Sequence, residues 1–173
     1  AGMTAVVDAF LQSGGVLTIT KSLVAGYDFM QDATARSDSY LEAAGLADAQ
    51  RSQLLQNQSP WNAGALRSLL FNTRQDLALL GVHATHYYHE TPTAEVIQAS
   101  EVMTAAADLS GMLVYALACH GGLNVPGSGH TRPLDFAEAW LSRGATFVGS
   151  TGWAYGYTGA LATALSARSE SIE

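Results

Sequence analysis

The sequence is short of several residue types, and each shortage narrows what it can encode. There is one cysteine, Cys119, so neither an intrachain disulfide nor a cysteine-rich zinc site is available. Lysine and arginine number 8 against 15 acidic residues, giving a net charge of −7, and the eight cations are scattered along the chain. Phosphate-tracking surfaces need clustered cations that release counterions, which argues against nucleic acid as a partner. No apolar run approaches the ~20 residues a membrane span requires. Proline is rare at 4 residues, and no repeat or low-complexity tract interrupts the chain. With 48% hydrophobic residues, the reading is one globular domain over residues 1–173, or part of one.

What is present is unevenly placed. All five histidines, His83, His86, His89, His120 and His130, lie in one window that also holds Cys119, directly before His120. The first eighty residues contain neither histidine nor cysteine and read as scaffold.

The scaffold alternates between helix and strand patterns. Val6, Val7, Phe10 and Leu11 repeat at helical spacing before Gly14-Gly15, which predicts a helix over 3–13. Two β-branched and apolar runs follow, of which 22–27 is the better candidate for a buried parallel strand. Asp32 to Ala44 reads as a helix closed by Gly45, and Gln50 to Ser59 as polar loop or frayed helix. Ser59-Pro60-Trp61 places a capping residue before proline, so a helix of about three turns is expected there, with Leu66, Leu69 and Leu70 on one face. The runs 77–82 and 112–118 are apolar throughout and end on His83 and Cys119, as central parallel strands do when they deliver side chains at their carboxyl ends. Between them, 93–107 reads as helix. Asp135 with Glu138 predicts a helix start, Gly144 its stop, and 145–149 a last strand. The fold class is therefore α/β, a mostly parallel sheet flanked by helices on both faces.

A thiol at a sheet edge becomes a nucleophile when a neighbouring imidazole promotes the thiolate. Cys119 and one of the strand-end histidines meet that need, and Gly121-Gly122 allows backbone N–H groups to turn toward a developing oxyanion. The chemistry this points to is peptide hydrolysis through a thioester.

Four segments together resemble one family. They are Cys119-His120-Gly121-Gly122-Leu123-Asn124-Val125-Pro126, His83-Ala84-Thr85-His86-Tyr87, Leu23-Val24-Ala25-Gly26-Tyr27-Asp28-Phe29, and Gly144 through Gly156 with Trp153 and Tyr155 inside it. They resemble the gingipain-like cysteine peptidases, which have a caspase-like (caspase-hemoglobinase) fold. The resemblance implies an endopeptidase acting on polypeptide, with a Cys nucleophile, a His acid and base, no cofactor, and a pocket for the P1 side chain that Trp153 and Tyr155 would wall. It also implies a bacterial, extracellular or cell-surface setting and further domains of the same chain. A strand preceding Ala1 and an end beyond Glu173 are expected, so the chain reads as a fragment truncated at both ends. No signal peptide is expected, because residue 1 opens onto a helix pattern.

In the family the catalytic His is usually followed by glycine, whereas Ala84 follows His83 and Tyr87 follows His86. His83 is preferred because it directly follows the apolar run. On a continuous strand His83 and His86 would face opposite sides, so a turn must intervene for both to reach one thiol. Competing readings remain beside these. Cys119 as an inert core thiol, a zinc site drawn from His83, His86, His89 and His120 with one thiolate, and a basic-P1 pocket formed by Asp135 and Glu138 are the main ones. A catalytically silent caspase-like module that binds partners is the alternative at the level of function.

Overall fold

The computed structural model describes residues 2–27, 30–124 and 134–154. Helix α1 (Gly2–Gln12) ends where Gly14 and Gly15 take positive φ, with the Gly15 N–H turned back onto the Phe10 carbonyl. It packs on the helix Phe136–Ser142 and leaves Met3, Phe10 and Leu11 exposed. Strand β1 (Ser22–Gly26) is buried at every position, which is why its sequence shows no alternation. Helix α2 (Gln31–Ala43) and a 3-10 turn (Asp48–Gln50) lead to β2 (Arg51–Leu55). Helix α3 (Ala63–Phe71) precedes β3 (Leu77–Gly81). A three-stranded excursion follows as β4 (His83–Ala84), β5 (Tyr88–Glu90) and β6 (Val96–Gln98), then a 3-10 segment (Ala99–Thr104). Strand β7 (Leu113–Leu117), helix α4 (Phe136–Ser142) and β8 (Thr146–Gly149) complete the described chain.

The main sheet is parallel throughout, in the order β2-β1-β3-β7-β8, while β4-β5-β6 form a small antiparallel sheet. The two faces of the main sheet are covered differently. A Cβ at Gly26 would meet Thr34 of α2, and a Cβ at Gly81 would meet both Thr34 and Met30, so this face accepts α2 only because glycine stands at those two positions. On the opposite face Leu23, Ala25, Ala78, Leu80, Val114 and Ala116 form one core with Leu66 and Leu70 of α3 and Phe136 and Trp140 of α4. Alternate residues of each strand thus serve opposite layers, and helices flank both faces as the sequence predicts.

Three local expectations are corrected. The segment read as polar loop contains β2: an edge strand need bury only part of its surface, and its one charged side chain, Arg51, is satisfied by Asp38 and Asp48 rather than by solvent. The cap of α3 is Asn62, whose Oδ1 accepts the Ala65 N–H at 2.9 Å, not Ser59, so the helix starts later and is shorter than expected. The helix expected over 93–107 is instead β6 with a 3-10 segment. There the β-branched Val96-Ile97 pairs with β5 and sends Ile97 into the core. The cap on α4 is as expected, Asp135 accepting the Glu138 N–H at 2.8 Å.

Candidate functional site

The sheet's carboxyl edge is where chemistry-bearing residues gather. The last register pair between β3 and β7 is Gly81↔Leu117, and the Val82 N–H donates to the Leu117 carbonyl at 3.3 Å. His83 and Cys119 each stand two residues beyond that pair, on adjacent strands, both half-buried. From β1, the Tyr27 N–H donates to the Gly81 carbonyl at 2.8 Å. Its ring meets the His83 imidazole edge-on, with centroids 4.8 Å apart. Tyr27 was legible in sequence only as a strand-end residue. Its role as a wall for His83 follows from β1 and β3 being neighbours.

His86 sits elsewhere. Thr85 folds the chain into a tight hairpin: its N–H donates to the Tyr88 carbonyl at 3.0 Å, and its hydroxyl accepts the Tyr87 and Tyr88 N–H groups. His86 lies in that turn with its ring on Tyr87, centroids 3.7 Å apart, and its carbonyl accepting the Phe136 N–H at 2.9 Å. The turn the strand argument required is therefore present. His86 Nε2 is buried and has no hydrogen-bond partner among the described residues. His89, on β5, is fully buried and stacked on Phe136 at 3.9 Å with neither ring nitrogen bonded. Burial pushes its pKa down from 6.5 to about 3, because the charged imidazolium loses its hydration without gaining a partner.

The loop after Cys119 is clamped to the loop after β8. The Cys119 Sγ–H donates to the Ala154 carbonyl at 3.6 Å, the His120 N–H to Gly152 at 2.7 Å, and the Gly122 N–H to Ser150 at 2.9 Å. The Gly121 N–H points back to Ala118 at 3.3 Å. Gly122 is required for close approach: a Cβ there would collide with the Gly149 carbonyl oxygen. His120 holds φ +55°, a left-handed conformation uncommon outside glycine. Its ring meets Trp153 edge-on at 5.1 Å, and its Nδ1 is buried without a partner. Trp153 itself is 71% exposed. Among the described residues, no acceptor takes the Cys119 N–H. Tyr155 and His130 lie outside the described residues.

The zinc reading brings in residues the fold separates: His83 opens β4, His86 is in the hairpin turn, His89 is stacked on Phe136 and His120 is across on the Cys119 loop. Among the described residues no three His, Cys, Asp or Glu side chains group to hold a metal ion. Asp135 is buried with its carboxylate on the α4 N-terminus. Among the described residues no helix is long and apolar enough to cross a membrane.

The arrangement defines an α/β protein in which His83 and Cys119 stand at the carboxyl ends of neighbouring parallel strands. The chain is similar in fold to a solved structure described as "Structure of Protease", with a TM-score of 0.56 and 15% sequence identity. The match covers 89% of this chain and 35% of the other, so the chain spans about a third of the length of the structure it resembles. No protein-family model matches the sequence, and no curated protein matches it.

Proposed function

We propose that this chain carries the catalytic centre of a cysteine endopeptidase of the gingipain-like, caspase-like kind, with Cys119 as nucleophile and His83 as general acid and base. The observation that carries this reading is the placement of His83 and Cys119 two residues past the same register pair on neighbouring parallel strands, at the strand ends where α/β proteins work. Cys119 Sγ adds to the scissile carbonyl carbon and its proton passes to His83. The tetrahedral oxyanion then collapses as the C–N bond breaks, and His83 returns the proton to the leaving amine. Water, deprotonated by His83, next attacks the thioester, releasing the carboxylate product and restoring the thiol.

The Cys119 N–H is the oxyanion donor in this reading, since the Gly122 N–H is committed to Ser150. Tyr27 fixes the His83 ring, and the Ala154 carbonyl holds the resting thiol. Gly122 lets the Cys119 loop lie against β8, and exposed Trp153, with Tyr155 two residues on, contributes to the wall of the P1 pocket. Cleavage of a mixed peptide library that is lost in Cys119→Ala and retained in His86→Ala is the expected result.

A second reading, a catalytically silent module that binds partners, draws on the engaged Gly122 N–H and on Ala84 standing where the family usually has glycine. A library left uncut by the full-length protein, with Cys119 no more reactive than a free thiol, favours that module instead.

A further inference from the structure

We propose that the outer edge of β2, with the cavity beside it, is a second peptide-binding site that takes an extended, uncharged polypeptide segment as an added strand. In a parallel ladder a residue sends its N–H and C=O to the same side, and its neighbours send theirs to the other. The Gln56 N–H donates to the Gly26 carbonyl at 3.1 Å, which turns residues 52, 54 and 56 toward β1 and residues 51, 53 and 55 outward. Of the outward groups, the Arg51 N–H is used by Asp48 and the Leu55 carbonyl by the Gln58 and Ser59 N–H groups. The Arg51 carbonyl, both backbone groups of Gln53 and the Leu55 N–H are left without a described partner. Two donors and two acceptors alternating along the edge are what an incoming strand pairs with.

The devices that usually protect an edge are absent from β2. Natural edges carry outward charges, proline or bulges, whereas β2 reads Arg-Ser-Gln-Leu-Leu, pairs with β1 without a bulge, and keeps the Arg51 side chain 4% exposed against Asp38. A cavity of about 280 Å³ opens beside the same residues, between the end of β2 and the start of α3. Gln53, Gln58, Ser59 and Asn62 supply its polar lining, Leu55 and Trp61 part of its apolar lining, and no charged residue contributes. A side chain projecting from an added strand would enter this cavity. Its neutral amides and hydroxyl suit Ser, Thr, Asn, Gln or a small apolar residue over Asp, Glu or Lys, whose charge would find no counterpart. Three strand spacings, about 14 Å, separate β2 from β7, so the site works without Cys119 and does not depend on the peptidase reading.

The test is amide exchange and NMR on the 15N-labelled full chain carrying Cys119→Ala, titrated with acetylated heptapeptide amides built from Ala, Val, Leu, Ser, Thr, Asn and Gln. The expected result is slowed exchange and shifted resonances at the Gln53 and Leu55 amides, with the inward Ser52 and Leu54 amides unchanged. A matched library containing Asp, Glu and Lys should bind roughly tenfold more weakly. Gln53→Pro removes the central donor and should weaken binding by about tenfold. Ser59→Trp fills the cavity from an exposed loop and should do the same without touching the strand, so the test survives if Gln53→Pro does not fold. Millimolar peptide that leaves the Gln53 amide unprotected overturns the proposal, as does binding that survives Ser59→Trp. Protection of Gln53 that rises with protein concentration in the absence of peptide also overturns it, because it would mean that β2 pairs with a second copy of the chain.

Discussion

The two ends of the main sheet put different polar groups to different uses. At the amino ends charged side chains tie the loops together, although Ser22 Oγ, Arg51 Nε and Gln75 Oε1 are buried with no partner among the described residues. Asp76 accepts the Thr20 N–H and hydroxyl and the Lys21 N–H, which holds its carboxyl below the usual range despite partial burial. Arg74 donates to the Asp108 and Ser110 carbonyls. Arg143 gathers the carbonyls of Val102, Met103, Ala105 and Ala107 at 2.9–3.2 Å, fixing the loop that leads into β7. At the carboxyl ends the buried atoms with no partner among the described residues are imidazole nitrogens, of His86, His89 and His120, and His120 holds a left-handed backbone. Unsatisfied buried groups cost stability, and strained residues persist where the surroundings enforce them. The amino ends carry the carboxylate and guanidinium clamps that lock loops together, and the carboxyl ends carry the buried imidazoles and the left-handed His120.

Substitutions at the two ends should therefore fail in different ways. The largest effect belongs to His83: His83→Ala should lower peptidase kcat by about 10²–10⁴-fold with little change in melting temperature, while His86→Ala stays within about tenfold of the parent. Peptide hydrolysis assays paired with thermal melts check this, and equal losses in the two variants would erase the distinction between strand and turn. Arg143→Ala should show the converse, losing about 2–3 kcal/mol, roughly 5–10 °C in Tm, with Arg143→Lys intermediate because one ammonium cannot serve four carbonyls as a guanidinium does. Denaturant melts measure it.

Gly122→Ala forces a Cβ against the Gly149 carbonyl. It should cost about 1–3 kcal/mol and, unlike Arg143→Ala, slow Cys119 alkylation, because the Cys119 loop must move. A further difference lies in pH dependence. The unfolded chain protonates His89 near 6.5 and the folded chain only near about 3. Between these values the unfolded state binds more protons, so stability rises with pH by up to about 1.4 kcal/mol per unit and its contribution levels off above 6.5. His89→Leu should flatten that slope in urea titrations between pH 4 and 6.5. An unchanged slope would place the carboxyl end's acid sensitivity elsewhere.

What could be read from the sequence follows burial. β1 and β3 are covered on both faces and β7 buries one face and half-buries the other, so their uninterrupted apolar runs announce strands, and the ends of β3 and β7 announce His83 and Cys119. β2 left no such trace, because an edge strand with Arg51 and Gln53 tied to Asp38 looks like a polar loop. The stretch 93–107 misled because Val96, Ile97, Ala99 and Val102 match helical spacing as well as they match a short strand and a 3-10 turn. At the site, the residue types were legible and their partners were not. The hairpin at Thr85 separates His83 from His86, and the crossing of two loops brings the Ser150, Gly152 and Ala154 carbonyls onto the Cys119 loop. Both features depend on tertiary contacts that no local pattern encodes.

The most direct test of the account is the second-order rate at which a peptidyl electrophile modifies Cys119 at neutral pH, compared among the parent chain, His83→Ala and His86→Ala. The account predicts modification faster than that of a free thiol, lost in His83→Ala and kept in His86→Ala. A rate equal to that of a free thiol and indifferent to His83 would contradict it.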